Sequence, residues 1–408
     1  MTVRQPAAPA PSPGLRPPSP RGRGVWGVAC RPAAILLLAA SYAVTPALGQ
    51  FEGEITPQSE EALELGLEWL AKNQGAEGNW GCNDLGLVSM GALAYMSAGH
   101  SPGRGKYGRE LDKALEFVVK NAKPSGLLNI ADGQRDMYNH GLATFILGQA
   151  HGMSTSQDRR LNRVLDGALK LIANTQCEDG GWDYRAHRQP NGHDLSLAVM
   201  QAKALRSAVD SGLEVPPEVI DLAIKSVREH YSPQGNRNLP EAELMKLPGQ
   251  FTYGKGGGGG TIAMAAAGVV CLQEFGQYDD WRIGKNMDVI GAAIRELPKS
   301  RERNGNMPFD AYTLYYVGQA LYQVGGEHWQ EHYPLMRDFL VGSQIRDAKV
   351  PNLHGSWRDN GVRGGGRVGG REGELYATSV GVFILAIPNR YLPILQEGKI
   401  ESLKSRTK

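Results

Sequence analysis

Along this chain a charged, amphipathic stretch is followed six times by one that carries almost no charge. The uncharged segments begin near Asp84, Asp136, Asp194, Gly260, Asp310 and Glu374, about 50–65 residues apart. The charged stretches read as helices with a single apolar face. In the first, Thr56-Pro57 supplies an N-cap and a proline at the first helical position. Leu63, Leu67 and Leu70 then fall on one side, with Glu60, Glu61, Glu64 and Glu68 largely on others. The same pattern recurs over 108–121, 159–176, 217–231, 280–297 and 334–345.

The uncharged segments are different in kind. LGLVSMGALAYMSA (85–98), TIAMAAAGVVCL (261–272) and LYATSVGVFILAI (375–387) have no charged residue at all. NHGLATFILGQA (139–150) and AYTLYYVGQALYQV (311–324) add histidine, tyrosine and glutamine. A helix that is apolar all round has to be buried all round. These segments are too short to be membrane spans, which need roughly 20 residues. Paired helices with buried inner members need neighbours on both sides. The economical arrangement is therefore all-α: a closed α/α toroid, an α6/α6 barrel of six helix pairs. No strand alternation is present in these segments.

A second signature lies between outer and inner helices: Gln74…Gly78-Asn79-Trp80, Gln176…Gly180-Gly181-Trp182 and Gln344…Gly355-Ser356-Trp357. Glycine permits a tight turn after the helix. Tryptophan supplies an apolar plug, and glutamine can bond freed backbone groups. This Q-x-x-x-G-x-W pattern, over about residues 56–395, resembles the repeat of the squalene cyclases and protein prenyltransferases. MYNHGLATFILGQAHG (137–152), the stretch from Tyr312 through GGEHW (325–329) and the GSW…TSVGVFIL ending are similar to secreted bacterial members of that superfamily with unknown function. The resemblance implies an α/α toroid. It does not bring the family's chemistry. The nearest approach to a cyclase Asp-x-Asp-Asp acid is Gln277-Tyr278-Asp279-Asp280, which lacks the first Asp and opens an outer helix. None of Cys82, Cys177 or Cys271 has an Asp two residues earlier, as a prenyltransferase zinc site would require, and the thioester Gly-Cys-Gly-Glu-Gln is absent.

The ends change the charge picture. Residues 1–49 contain five arginines, no acidic residue, the apolar run Ala33–Val44 and Ala47-Leu48-Gly49. That is the layout of a secretory signal peptide, with an uncleaved anchor as the alternative. Its removal would leave 39 basic residues of the chain's 44 against 42 acidic ones, a net charge of −3. Such a chain offers no electrostatic footprint for nucleic acid. The organisation expected is a signal peptide over 1–49, a toroid over 50–395 and a basic polar tail over 396–408. The product would be exported, periplasmic or secreted, with no membrane span after cleavage. Three remaining cysteines make no disulfide framework, although Cys82 and Cys177 are free to pair.

Three generic motifs lack their structural context. Gly99-His100-Ser101-Pro102-Gly103 matches a nucleophile elbow, which joins a strand to a helix, and no strand is expected here. Gly364, Gly366 and Gly369 match a dinucleotide fingerprint without a preceding strand. His328…Glu331-His332 matches the inverzincin order, which needs both histidines on one helical face. With Pro334 expected to open the helix, the two histidines read as an exposed turn. No motif calls for a metal or a cofactor.

The chemistry that survives is at the starts of the inner helices: Asn83 and Asp84; Asp136, Tyr138, Asn139 and His140; His193, Asp194 and Ser196; Thr261; Asp310, Tyr312 and Tyr315; Glu374 and Tyr376. In a closed toroid these converge on one mouth. Asp84, Asp194, Thr261 and Asp310 are accounted for by N-capping. Two histidines and three tyrosines on apolar helices are not. His140, His193, Asp194, Asp136 and Tyr312 are the acid–base candidates, and Asp84, Tyr138, Tyr315, Tyr376 and Glu374 the ligand contacts. Gly256–Gly260, leading into Thr261, is either a plain connection or a backbone cradle for an anion. Three functions follow: a toroid binding a small hydrophobic or glycan ligand or a protein partner; an extracytoplasmic lyase or hydrolase; and, last, a divergent isoprenoid enzyme.

Overall fold

The computed structural model describes residues 51–154, 158–299, 309–347, 349–358 and 370–395. The expected signal peptide, the C-terminal tail and the Gly364–Gly369 run lie outside them. The compact unit begins at Gln50. Its outer helices are α1 (Pro57–Asn73), α3 (Gly108–Lys120), α5 (Arg159–Thr175), α7 (Pro217–Glu229), α10 (Trp281–Arg295) and α12 (Gly326–Ser343). Its inner helices are α2 (Leu85–Ser97), α4 (Asp136–Met153), α6 (Leu195–Asp210), α9 (Ile262–Glu274), α11 (Ala311–Val324) and α13 (Gly370–Ala386). A one-turn helix, α8 (Glu241–Leu244), stands between a small antiparallel pair, β1 (Tyr231–Pro233) and β2 (Gly249–Phe251).

The inner helices pack in cyclic order, α2 on α4, α4 on α6, α6 on α9, α9 on α11, α11 on α13, and α13 back on α2. Each also packs on the outer helix that follows it, and α13 packs on α1, the first helix of the chain. The toroid is closed. Every residue of α2 is buried, as an uncharged helix demands. Thr56 caps α1 as expected, in a reciprocal box with Ser59. Among the described residues no helix is long and apolar enough to cross a membrane.

The signature residues act alike in all three repeats. Gln74, Gln176 and Gln344 each end an outer helix as its C-cap. Each side-chain amide donates twice, once to the glycine carbonyl of its own turn and once to the next outer helix. Gln74 reaches Gly78 (3.0 Å) and Glu110 (2.9 Å). Gln176 reaches Gly180 (3.1 Å) and Val219 (2.9 Å), and Gln344 reaches Gly355 (3.0 Å) and Ala62 (2.7 Å). Trp80, Trp182 and Trp357 donate their indole N–H to Leu70, Ile172 and Leu340 in the outer helix just left. Gly78, Gly180 and Gly355 lie so close to the next outer helix that a Cβ would sit 2.1, 2.1 and 2.4 Å from the carbonyl oxygens of Lys113, Leu222 and Leu65.

Two expectations are corrected. The last outer helix does not open at Pro334. It begins at Gly326, because Gly325 and Gly326 take left-handed φ of 67° and 55° and turn the chain directly from α11 into α12. Pro334 sits inside it. His328 and His332 thus share one face, rings 6.2 Å apart. His332 is buried rather than exposed: its Nδ1 donates to the His328 carbonyl (2.9 Å) and its Nε2 accepts from Arg295 (2.9 Å). Both nitrogens are occupied, so neither is available to a metal. The short pair β1 and β2 lies outside the inner segments, and the Gly99–Gly103 elbow match follows a helix, not a strand. Cys82, Cys177 and Cys271 are all buried, and no disulfide joins any of them.

Replacing Trp182 by alanine should cost about 3–5 kcal/mol of folding stability. Gln176→Leu should cost about 1–3 kcal/mol by leaving two buried carbonyls without donors. Urea denaturation midpoints check both; a Gln176→Leu variant as stable as the parent would remove the amide bridge from the account.

Candidate functional site

The four expected caps are in place. Asp84 accepts from the backbone N–H of Leu87, Asp194 from Ser196, Thr261 from Met264 and Asp310 from Thr313. Around Asp194 the mouth gathers more than a cap needs. Its Oδ1 also accepts from the Ser196 hydroxyl, and its Oδ2 from the Tyr184 phenol. With the Ser196 proton committed to Asp194, the Tyr138 phenol donates to Ser196. The result is one chain of hydrogen bonds running Tyr138 to Ser196 to Asp194, met from the other side by Tyr184. His193 Nδ1 stands 3.6 Å from the same carboxylate. Its ring lies 4.4 Å from that of Tyr184, which is 5.8 Å from that of Tyr138. His193 keeps 58% of its side chain exposed, so this end of the chain is open to solvent.

Tyr312, Tyr376 and Tyr253 complete the wall. Burial first, then the phenols of Tyr138, Tyr253 and Tyr376 and the Asp194 carboxylate, push Tyr312 well above the ordinary tyrosine range. Burial likewise raises Tyr138 and Tyr184, and Asp194 adds to both shifts. Phenols placed this way stay protonated and act as donors. Tyr253 presents its carbonyl to the first N–H of α6, at Leu195, 3.1 Å away. Gly257, Gly258 and Gly259, in the connection above it, have positive φ.

Sequence-expected residues therefore divide. Tyr138, His193, Asp194, Tyr312 and Tyr376 come together. Asp84 is spent on Arg135 (2.7 Å). Asp136 accepts from Asn129 (2.8 Å) and, weakly, from the backbone of Ala186 (3.4 Å). Glu374 lies 3.7 Å from Arg358. Tyr315 is buried within the ring against Phe383 and Tyr316.

His140 faces away from the mouth. It is fully buried, with Nδ1 accepting from the Leu128 backbone N–H and Nε2 donating to the Ala168 carbonyl of α5, both at 3.1 Å. The second repeat lacks the glutamine, and His140 makes its bridge: one bond to the turn, one to the next outer helix. Gly126 supplies the matching close approach, since a Cβ there would sit 2.4 Å from the Gly167 carbonyl oxygen. Burial lowers His140 to about 4, and His230 to about 4 as well.

Two mouth residues were not legible in the sequence. Tyr184 and Tyr253 lie in connections, outside any helical period, although Tyr184 follows the signature Trp182 by two residues. A third surprise is charge inside the ring. Lys203 of α6 is buried 3.9 Å from Glu274 of α9, bonded to Gln319 of α11, with its ammonium 4.3 Å from the Phe145 ring of α4. Burial lowers Lys203 to about 8 against the pull of Glu274, and raises Glu274. No cluster of three or more metal-binding side chains occurs among the described residues.

No family model and no curated protein matches the chain. Solved structures do. An inactive double-aspartate variant of the alpha-1,6-mannanase GH76A of Salegentibacter sp. HEL1_6, in complex with alpha-1,6-mannotetrose, is similar at a TM-score of 0.53 and 11% identity, covering 84% of this chain and 100% of that one. A second inactive variant, with alpha-1,6-mannotriose, gives 0.50 and 12%, covering 83% and 100%. A type II terpene cyclase from Scytonema reaches 0.32 at 13% identity, covering 82% and 99%, too slight a likeness to carry an argument. At these identities the likeness shows the fold, the α/α toroid.

Two stability predictions follow from the buried groups. His140 and His230 titrate near 4 when folded and near 6.5 when unfolded. The unfolded chain then binds more protons between those values, so stability is complete above about pH 6.5 and falls as pH drops toward 4. Urea midpoints from pH 7.5 to 4.5 should decline, and less steeply in His140→Gln; an unchanged slope would contradict a neutral buried imidazole. Glu274→Gln, which strips Lys203 of its counter-charge, should cost about 3–5 kcal/mol, and Lys203→Met/Glu274→Gln should recover most of it. A double variant no better than the single would show that the pair is not the relevant unit.

Proposed function

We propose that the protein is an exported toroid that binds a neutral oligosaccharide at its tyrosine-lined mouth. The observation that carries this reading is the set of phenols gathered around Asp194. Tyr138 and Tyr184 are fixed by the hydrogen-bond chain, and Tyr253, Tyr312 and Tyr376 adjoin it electrostatically. Aromatic faces suit the apolar faces of sugar rings, and their hydroxyls suit sugar hydroxyls. A near-neutral chain has no charge with which to seek a polyanion at that mouth. The mannanase variants, which share the fold, hold alpha-1,6-mannotetrose and alpha-1,6-mannotriose. That supports a glycan over a purely hydrophobic ligand.

Binding is favoured over hydrolysis by what the carboxylates are doing. Glycoside cleavage needs two carboxyl groups free to exchange protons or attack. Here Asp84, Asp136, Asp194 and Glu374 are each engaged by an internal partner. The mannanase variants are inactive with two consecutive aspartates replaced. The one consecutive pair in this chain, Asp279-Asp280, opens an outer helix, where Asp280 caps α10 and pairs with Arg228 and Arg282.

A second reading has its own observation. His193, Asp194 and Tyr184 form an accessible base, an orienting carboxylate and a protonated phenol, a set able to move a proton to and from a bound sugar acid. On this reading His193→Ala abolishes turnover while binding persists.

Isothermal titration with alpha-1,6-mannotriose and a panel of other neutral oligosaccharides tests the proposal. At least one should bind, and Tyr184→Ala should weaken it tenfold or more, about 1.4 kcal/mol. Absence of binding by every neutral oligosaccharide at millimolar concentration, or full affinity in Tyr184→Ala, would sink it.

A further inference from the structure

We infer that the outer surface carries a separate cleft for an acidic sugar, between the turn that follows α3 and the exposed face of α5. The cleft has a volume of about 680 Å³. Its walls carry four cations, Lys123, Arg160, Arg163 and Lys170, against one carboxylate, Asp166. On a chain whose charges otherwise nearly cancel, this is a local excess of one sign, and it concentrates oppositely charged ligands.

A second cleft shows what a structural charge cluster looks like here. Between α7 and α10, about 730 Å³ is lined by Arg228 and Arg282 with Glu241, Asp279 and Asp280. There both guanidinium groups are consumed: Arg228 by Asp280 (2.8 Å), and Arg282 by Asp280 (3.0 Å) and Glu241 (3.2 Å). The α3–α5 cleft is not closed in this way. Arg160 is held by Glu116 and Lys170 by Asp166, each at 2.7 Å. The Lys123 ammonium has no partner among the described residues. Among the described residues Arg163 bonds through its Nε alone, toward the Arg159 carbonyl at 3.3 Å. Its two terminal nitrogens remain, in the forked geometry that grips a carboxylate or phosphate through two parallel bonds.

The remaining walls fit a sugar better than a bare ion. Pro124, Val164 and Leu171 offer apolar surface, with Ser125 and Asn174 polar beside them. Gly126, at φ +89°, lies close against Gly167, so no side chain stands between turn and helix at that point. An acidic sugar has an apolar ring face, hydroxyls and one oxyanion. Lys123 and Arg163 satisfy a carboxylate and a phosphate alike.

The test is titration of the purified chain at low salt with trigalacturonate, with mannose 6-phosphate, and with neutral mannotriose. The result expected is binding of at least one acidic probe, weakening as salt rises. Which acid binds distinguishes a uronate from a sugar phosphate. Lys123→Gln/Arg163→Gln, changing two exposed side chains, should keep its thermal midpoint and lose the acidic probe by tenfold or more. Tyr184→Ala should bind it as the parent does. The inference is overturned if neither acid binds the parent, if the double variant binds equally well, or if Tyr184→Ala abolishes acidic-probe binding, which would place that ligand in the mouth. Mannotriose reports on the mouth alone, so the two proposals fail separately.

Discussion

Everything in this structure depends on closing a ring of helices that have no face to give to water. α2 is buried at every position, and α9 at all but its first. An open row of such helices would leave two of them exposed at its ends. Closure removes the ends, and it has to be made between the start and the finish of the chain. Gln344 donates to Ala62, and Trp69 to the Asn352 carbonyl at 2.8 Å. Arg346 pairs with Glu61, also at the seam. These contacts join residues more than 280 positions apart in sequence. The last 3-10 turn, Pro393–Leu395, packs against α4 and α6, where Ile394 N–H reaches Gln149 at 3.0 Å. The tyrosine-lined mouth is at the other, N-terminal ends of these helices.

The same bridging task is solved with different chemistry around the ring. Glutamine does it in three repeats with two donated bonds. His140 does it in a fourth, accepting one bond and donating the other. An imidazole held this way has to be neutral in one tautomer, with the proton on Nε2. Its burial and its low affinity for a second proton are thus consequences of a structural role. Lys203 and Glu274 are more costly residents. They tie α6, α9, α11 and α4 together inside the ring, where an apolar set of equal volume would have served stability at least as well.

A toroid of this kind says little about chemistry, because function is set by the residues at its ends and not by the fold. The mannanase variants share the architecture at 11–12% identity. At the mouth of this chain Asp194 accepts from Ser196 and Tyr184, and the neighbouring phenols are held protonated; the proposed binding of a sugar rests on that arrangement. His193 is the exposed exception, and the alternative acid–base reading rests on it.

The helix pairs, their inner and outer faces, the cap at Thr56 and the four inner caps were determined by the sequence alone. Each depends on periodicity or on a bond between residues two or three apart, and such interactions are complete within one segment. The closed toroid was legible for the same reason, since uncharged helices admit few other arrangements. Which polar residues share the mouth was decided only by the tertiary structure. Tyr138, His193, Asp194, Tyr312 and Tyr376 come together there because each stands at or beside the start of an inner helix. His140, one turn into the same helix, points outward to α5, and Tyr315 points inward to Phe383. Tyr184 and Tyr253 enter from connections whose path no period encodes. The start of α12 at Gly326 was hidden because a proline is a strong local signal, while two left-handed glycines reveal themselves only once the chain is packed. Side-chain direction at a given position is set by what surrounds it, and those surroundings come from segments far away along the chain.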